Sequence, residues 1–391
     1  MNASTSLRLR YLAAATAALA LAACGGGGSD GGESPAPTPA PAPAPTPAPA
    51  PLPTVSATCD QLTSGTYRLI SPVDTEASTV NVSMDESGTP QLAYADGTSD
   101  SLKASAEACS FTTAKNADSL VVGKGGVTVV AANDGGSARY PALLFPEQAA
   151  DVADLTGTWN RIAWQRAGNG GNSQPFGLEY GAISIAAGGI TGAQFCETAA
   201  TAGTPIACTA AAPQASFAAN ASGGGFTGAG DAAGVRAFVF KNGTDTLQVW
   251  MEEDGSLSLL SKQAALGYPA VGAASSSWNV QATTSGAVFT AATDTLPGIS
   301  TTSNTTTAVD TAAGTITRDS SNAGAAAVSQ TLYNNAPLPG MRVRQGVAGS
   351  VSAAVMLPLT SGLTAVARLN ATEATTPGTG NGFLVLSVSK P

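Results

Sequence analysis

The sequence predicts an all-β protein: tandem antiparallel β-sheet domains, each a sandwich or small barrel, behind a disordered Pro-Ala stalk. Three observations carry this reading. Short runs rich in Val, Ile, Leu, Thr and aromatics recur along the chain, among them "TYRLI" (66–70), "GVTVVAA" (126–132), "AISIAA" (182–187), "TLQVWM" (246–251) and "FLVLSVS" (383–389). Turn-forming clusters separate them: "DESG" (85–88), "ADG" (95–97), "NDGG" (133–136) and "KNGTD" (241–245). Helical periodicity is scarcely present. Short strands at regular spacing with Gly, Asn and Asp turns between them specify antiparallel sheets. "FVFKNGTDTLQVWMEEDGSLSLL" (238–260) is the clearest case, a three-strand meander.

Three β units are expected, at 55–150, 151–268 and 269–391. Their boundaries follow a faint internal echo. "GTWNRIAWQ" (157–165) and "SSWNVQATT" (276–284) both carry Trp-Asn, and "GSLSLLSK" (255–262) and "GFLVLSVSK" (382–390) follow each at similar distance. Between them, "GVRAFVF" (234–240) is echoed by "GMRVRQG" (340–346), and "SGTYRLI" (64–70) opens the earlier unit.

Ahead of these units lies a different kind of sequence. Arg8 and Arg10 precede about a dozen mostly apolar residues, Tyr11 to Ala22, a run shorter than the roughly 20 needed to span a bilayer. It ends in Leu21-Ala22-Ala23-Cys24. This resembles the lipobox of Gram-negative bacterial lipoproteins. The resemblance implies a signal peptide over 1–23, cleavage before Cys24, and acylation (palmitate included) of Cys24, with the membrane as partner through that anchor. Gly25 next to the cysteine implies the outer membrane over the inner one. Residues 24–54 are then anchor and linker. "GGGGSDGG" (25–32) is a flexible leash. "PAPTPAPAPAPTPAPAPLP" (35–53) has proline at every second position. Proline fixes φ and lacks an N–H, which leaves polyproline II at about 3.1 Å per residue and a stalk of roughly 60 Å.

Composition narrows the function. The 391 residues hold 17 Lys+Arg against 26 Asp+Glu. An acidic chain with no basic run argues against nucleic acid and anionic lipid headgroups as partners. Histidine is absent, which excludes a Ser-His-Asp triad, a Cys-His pair and every histidine-containing metal site. Besides Cys24 the cysteines are Cys59, Cys109, Cys196 and Cys208. An even number in an exported chain reads as two disulfides, and sequence neighbourhood pairs Cys59 with Cys109 and Cys196 with Cys208.

Several short motifs invite chemistry and fall short of it. Glu252-Glu253-Asp254 offers oxygen ligands for Ca²⁺ but reads as a hairpin turn. "AVDTAAG" (308–314) lacks the third-position glycine and the partner turn of aspartic proteases. "SVSK" (387–390) matches S-x-x-K literally, without the companion motifs or a helix. "GKGG" (123–126) and the glycines of Ser222–Gly225 lack phosphate-loop spacing. Tyr180, Trp250 and Tyr268 are candidates to line a sugar or apolar ligand site, against the plainer reading as core. "DLTGTWN" (154–160) resembles the G-x-W opening of lipocalin-type barrels, which implies a tryptophan near the floor of a barrel in the middle unit.

The expected function is that of a membrane-anchored cell-envelope lipoprotein with a non-catalytic binding, adhesive or structural role. No catalytic residue, cofactor or metal is expected; the partner is an unidentified protein, glycan or apolar ligand. The alternative is a lipocalin-like carrier with an apolar cavity in the middle unit. A carboxylate-based hydrolase is the third possibility and requires two carboxylates ~5–9.5 Å apart in a cleft.

Overall fold

A computed structural model describes residues 55–56, 58–72, 76–133, 139–164, 178–196, 208–220, 224–253, 255–282, 296–322, 324–347, 351–368 and 383–391. Residues 1–54, on which the expected signal peptide, leash and stalk fall, lie outside these residues, and so does Cys24.

Every described strand belongs to an antiparallel pair, and the strands form three eight-stranded barrels in tandem plus a short N-terminal ribbon. The ribbon pairs Val55–Ser56 with Cys59–Thr63. The first barrel is a simple meander from Gly65–Ser71 to Arg139–Pro146, whose last strand pairs back onto its first. The second runs from Gly157–Trp164 to Leu257–Lys262, which pair with each other. Its ring includes a thin seam, the single pair Gly189–Ser216, and Cys208–Ala211 lies outside the ring against Gly189–Cys196. The third again closes first strand on last, Ala274–Ala282 on Phe383–Ser389. Closure removes the open sheet edges that would otherwise template pairing with another chain.

Alternation along a strand sends successive side chains to opposite faces, and the three barrels use the faces differently. In the second, Trp159, Ile183, Phe217, Phe226, Trp250 and Leu260 form one buried interior cluster. The rings of Phe217 and Trp250 lie 4.8 Å apart across it. A short 3₁₀ turn, Val152–Leu155, opened by an Asp151/Asp154 capping box, plugs one end. Trp159 Nε1 donates to the Leu155 carbonyl at 2.7 Å. The middle unit is thus a closed barrel with its first-strand tryptophan turned inward near one end.

The opposite faces of these strands are also apolar. Ile162, Trp164, Phe240, Leu247, Val249 and Leu259 point out of the second barrel into a larger core shared by all three units. Phe145 of the first barrel meets Phe240 edge-on at 6.0 Å, and Arg68, ion-paired with Glu147, lies over the Phe238 ring. From the third barrel, Trp278, Val280, Val355, Leu357, Leu386 and Val388 enter the same core. Two buried faces explain why so many strands read as near-continuous apolar runs.

The internal echo is realised with a twist. Trp159-Asn160 and Trp278-Asn279 both sit on the first strand of their barrel, and the two "SLSLLSK"-like segments both form the last. Yet Trp159 faces its barrel's interior, whereas Trp278 faces outward into the shared core. A one-residue offset in register exchanges the faces of a whole strand. The middle echo slips: 234–240 falls on the sixth strand of the second ring and 340–346 on the fifth strand of the third.

Candidate binding lumen

Because the apolar sides of its first and last strands face outward, the third barrel turns their polar sides inward. Its lumen is a cavity of about 710 Å³. The wall divides in two. On the first, second and eighth strands it is made of hydroxyls and amides: Ser277, Asn279, Gln281, Thr302, Asn304 and Ser387. The third to seventh strands carry the charge. Arg318 projects from Thr315–Asn322, Arg342 and Arg344 from Arg342–Arg344, and Arg368 from Leu363–Arg368. These are all the arginines after residue 268. A small apolar patch of Ala354, Val366 and Val385, with Met356 beside it, lies between them.

Register explains the convergence. Arg344 pairs with Ala354, which pairs with Arg368; Arg342 pairs with Met356; Arg318 pairs with Gln330. Directly paired residues share a face, so arginines distant in sequence meet inside one ring. The reading of a chain without a basic cluster therefore holds along the sequence and fails in space. The cluster faces a lumen.

Each guanidinium is positioned by neutral acceptors. Arg318 donates through Nε and Nη2 to Gln330 Oε1 at 3.2 and 3.1 Å. Arg342 Nε reaches Asn334 Oδ1 at 2.9 Å, and Arg344 Nε the Ser352 carbonyl at 2.9 Å. Arg368 contacts Ser352 Oγ at 3.2 Å and Gln281 Oε1 at 3.4 Å. Among the described residues none of the four is ion-paired; the four salt bridges lie elsewhere. Asp319, adjacent to Arg318, points to the other face of its strand.

Electrostatics record the same imbalance. Burial pulls Arg344 down to about 10, helped by repulsion from Arg318 and Arg368. Burial and the charge of Arg342 bring Arg318 to about 10. Burial alone lowers Arg342 and Arg368. All four stay protonated at neutral pH. On the strand next to that of Arg318, where Asn304 pairs with Ser320, the Asn304 Oδ1 is enclosed with no hydrogen-bond partner. A lumen lined by fixed donors, uncompensated positive charge and an unfilled acceptor is arranged to receive an anion.

The residues singled out from sequence fall elsewhere. Cys59–Cys109 and Cys196–Cys208 are both disulfide-bonded. The first ties the N-terminal ribbon to the first barrel; the second joins paired strands of the second. Glu252 and Glu253 sit at the predicted hairpin turn, where Gly255 N donates to the Glu252 carbonyl; Asp254 lies outside the described residues. Asp310 caps a turn, accepting from Ala312 N and Ala313 N. Of "SVSK", Ser387 and Ser389 line the lumen, and Lys390 lies over the Trp278 ring and pairs with Glu107. Lys124–Gly126 forms a 3₁₀ turn held by Gln61, whose Oε1 accepts from Gly125 N. Gly224 and Gly225 both take positive φ; Ser222 and Gly223 lie outside the described residues. The three aromatics do not meet: Trp250 is inside the second barrel, Tyr180 in the shared core, and Tyr268 exposed. Among the described residues, no three His, Cys, Asp or Glu side chains come together as a metal site.

The apolar cavity envisaged for the middle unit is not where this lumen lies. The second barrel's inner face is occupied by its tryptophans and phenylalanines, and the 710 Å³ cavity is in the third barrel with mostly polar walls. Sequence reading passed over the arginines because polar residues alternating with apolar ones are read as solvent-facing. The available signal was that every arginine of the third unit stands in a β-type run.

No family model and no curated protein matches the chain. Among solved structures, a DUF3598-family protein of unknown function from Nostoc punctiforme is similar over 62% of this chain and 100% of its own, with 10% identity and a TM-score of 0.23.

Proposed function

We propose that this chain is a lipid-anchored cell-envelope binding protein, non-catalytic, that holds a small anionic solute in the lumen of its third barrel. The observation that carries the reading is four lumen-facing arginines without a carboxylate partner among the described residues. Buried charge without compensation is costly, and a bound anion offsets that cost. Arginine holds its proton across the physiological range, so the site suits binding and not proton transfer. The lipobox at Leu21–Cys24, the glycine leash and the Pro-Ala stalk support display from a membrane, with the outer membrane as the expected one.

Two experiments test this. Calorimetric titration of the purified chain with citrate in low-chloride buffer is expected to show one saturable site, lost in Arg318→Gln/Arg344→Gln. Saturable binding unaffected by that double variant places the site elsewhere and defeats the reading. For the anchor, intact mass of membrane-extracted protein should exceed the mature polypeptide by the acyl groups, and Cys24→Ser should release the chain from the membrane. Continued processing and membrane retention of Cys24→Ser removes the anchor from the proposal.

A further inference from the structure

The lumen's two walls ask for different things of one ligand. Resting on the third barrel as an anion site, we infer that the ligand is a hydroxyl-rich polyanion, an acidic saccharide or sugar acid with at least two carboxylates. Charge gives the first argument. A single monoanion leaves the arginine cluster largely uncompensated, whereas two or more carboxylates spread along it meet Arg318 and Arg342 at one point and Arg344 and Arg368 at another. The guanidinium N–H groups beyond those that Arg318 gives to Gln330 and Arg342 gives to Asn334 and Gly267 suit carboxylate oxygens.

Size gives the second. A water takes ~30 Å³ of liquid volume, so an inorganic anion leaves most of a 710 Å³ lumen without contacts. Pockets that enclose organic ligands of drug size span about 300–1,000 Å³, a range that also takes a sugar acid.

The third argument separates acidic sugars from plain polycarboxylates. Asn304 is half-buried and its enclosed Oδ1 is an unfilled acceptor, and an ionised carboxylate has no proton to give it. A ligand hydroxyl does. The neighbouring Ser277, Asn279, Thr302 and Ser387 donate and accept, as paired hydroxyl recognition requires. Among the described residues no aromatic ring lines the lumen, and none of them offers a nucleobase a stacking platform.

Matched probes test the inference on the purified full chain by calorimetry: glucarate, adipate (the same carbon chain without hydroxyls), sorbitol (without charges), inorganic phosphate, and trigalacturonate for size. Glucarate or trigalacturonate is expected to bind at least about tenfold tighter than adipate, sorbitol and phosphate. Asn304→Leu should weaken glucarate several-fold and leave adipate unchanged. Arg368→Gln should weaken all the dianions, and Arg368→Lys, which keeps charge and fold, should weaken glucarate partially. Equal affinity for glucarate and adipate overturns the hydroxyl inference while the anion site stands. Phosphate binding as tightly as glucarate makes this an inorganic-anion site and overturns it too. Sorbitol matching glucarate, or no binding of any charged probe, removes the anion site itself.

Discussion

Replacing Arg344 by methionine should stabilise the ligand-free protein, an unusual outcome for a half-buried arginine. Its Nε keeps one hydrogen bond, to the Ser352 carbonyl, while two other arginines repel it. Lowering its pKa from 12.5 to about 10 corresponds, at ~1.36 kcal/mol per unit, to a penalty of about 3 kcal/mol on the charged form. The lumen admits water, which screens part of this, and loss of the Ser352 bond subtracts ~1 kcal/mol. A net gain of about 1–2 kcal/mol remains, in the range seen when buried ionic groups give way to apolar ones of similar volume. Methionine keeps an unbranched stem on the face that Arg344 shares with its cross-strand partner Ala354. The assay is urea denaturation in low-chloride buffer, read as a rise in midpoint with unchanged slope. Arg344→Lys serves as the control and should show no rise. Saturating glucarate should then reverse the order, because the wild-type protein gains ligand stabilisation that the variant lacks. A drop of more than about 1 kcal/mol for Arg344→Met without ligand would refute the reasoning, since it would make Arg344 a structural residue of the barrel.

Three further outcomes are expected. Burial raises the Asp118 carboxyl above its ordinary value, against the lowering effect of hydrogen bonds from Asn133 N and Thr113. The folded state therefore binds the proton more tightly than the unfolded state, so this group's contribution to stability falls as pH rises from about 4 through the raised pKa. The stability of wild type relative to Asp118→Asn, followed by denaturation from pH 3 to 7, should decline; a flat difference contradicts it. Gly362 abuts the first barrel so closely that an added Cβ would lie 2.5 Å from Lys124 N, and Gly362→Ala should cost about 1–3 kcal/mol through overpacking, measured by thermal melting. Cys59→Ser/Cys109→Ser opens a link of sequence separation 50 and should cost about 4 kcal/mol by chain entropy, with selective proteolysis of the N-terminal ribbon as a second readout.

The strand pattern was open to sequence reading because antiparallel hairpins are local: "FVFKNGTDTLQVWM" carries its own turn and both pairing partners. The two disulfides, each joining cysteines consecutive in sequence, were readable for the same reason. Barrel closure was not, since it depends on pairs between strands about a hundred residues apart, such as Trp159 with Lys262 and Trp278 with Val388. Nor was the sense of the third lumen. "GMRVRQ" states that Arg342 and Arg344 share one side of a strand and Val343 the other, and nothing local says which side is enclosed. That choice is made by the first two barrels, which cover the apolar sides of the flanking strands. Trp159 and Trp278 show the ambiguity most plainly, since one motif on equivalent strands faces in opposite directions.

A barrel whose greasy side is its outside has an order of assembly built into it. The first two rings each own an apolar interior and possess a reason to close by themselves. Among the described residues the third has little inside to exclude water, Ala354, Val366 and Val385 with Met356 alongside, while its larger apolar side chains meet the neighbouring barrels. Trp278, Val280, Val355 and Leu357 find their partners only on surfaces already in place, the strand Ala354–Thr360 against Asp245–Glu252 and Leu257–Lys262, and Ala274–Ala282 against Arg139–Pro146. A chain emerging amino end first thus presents its template before the segment that needs it, and the arginine-lined ring closes last.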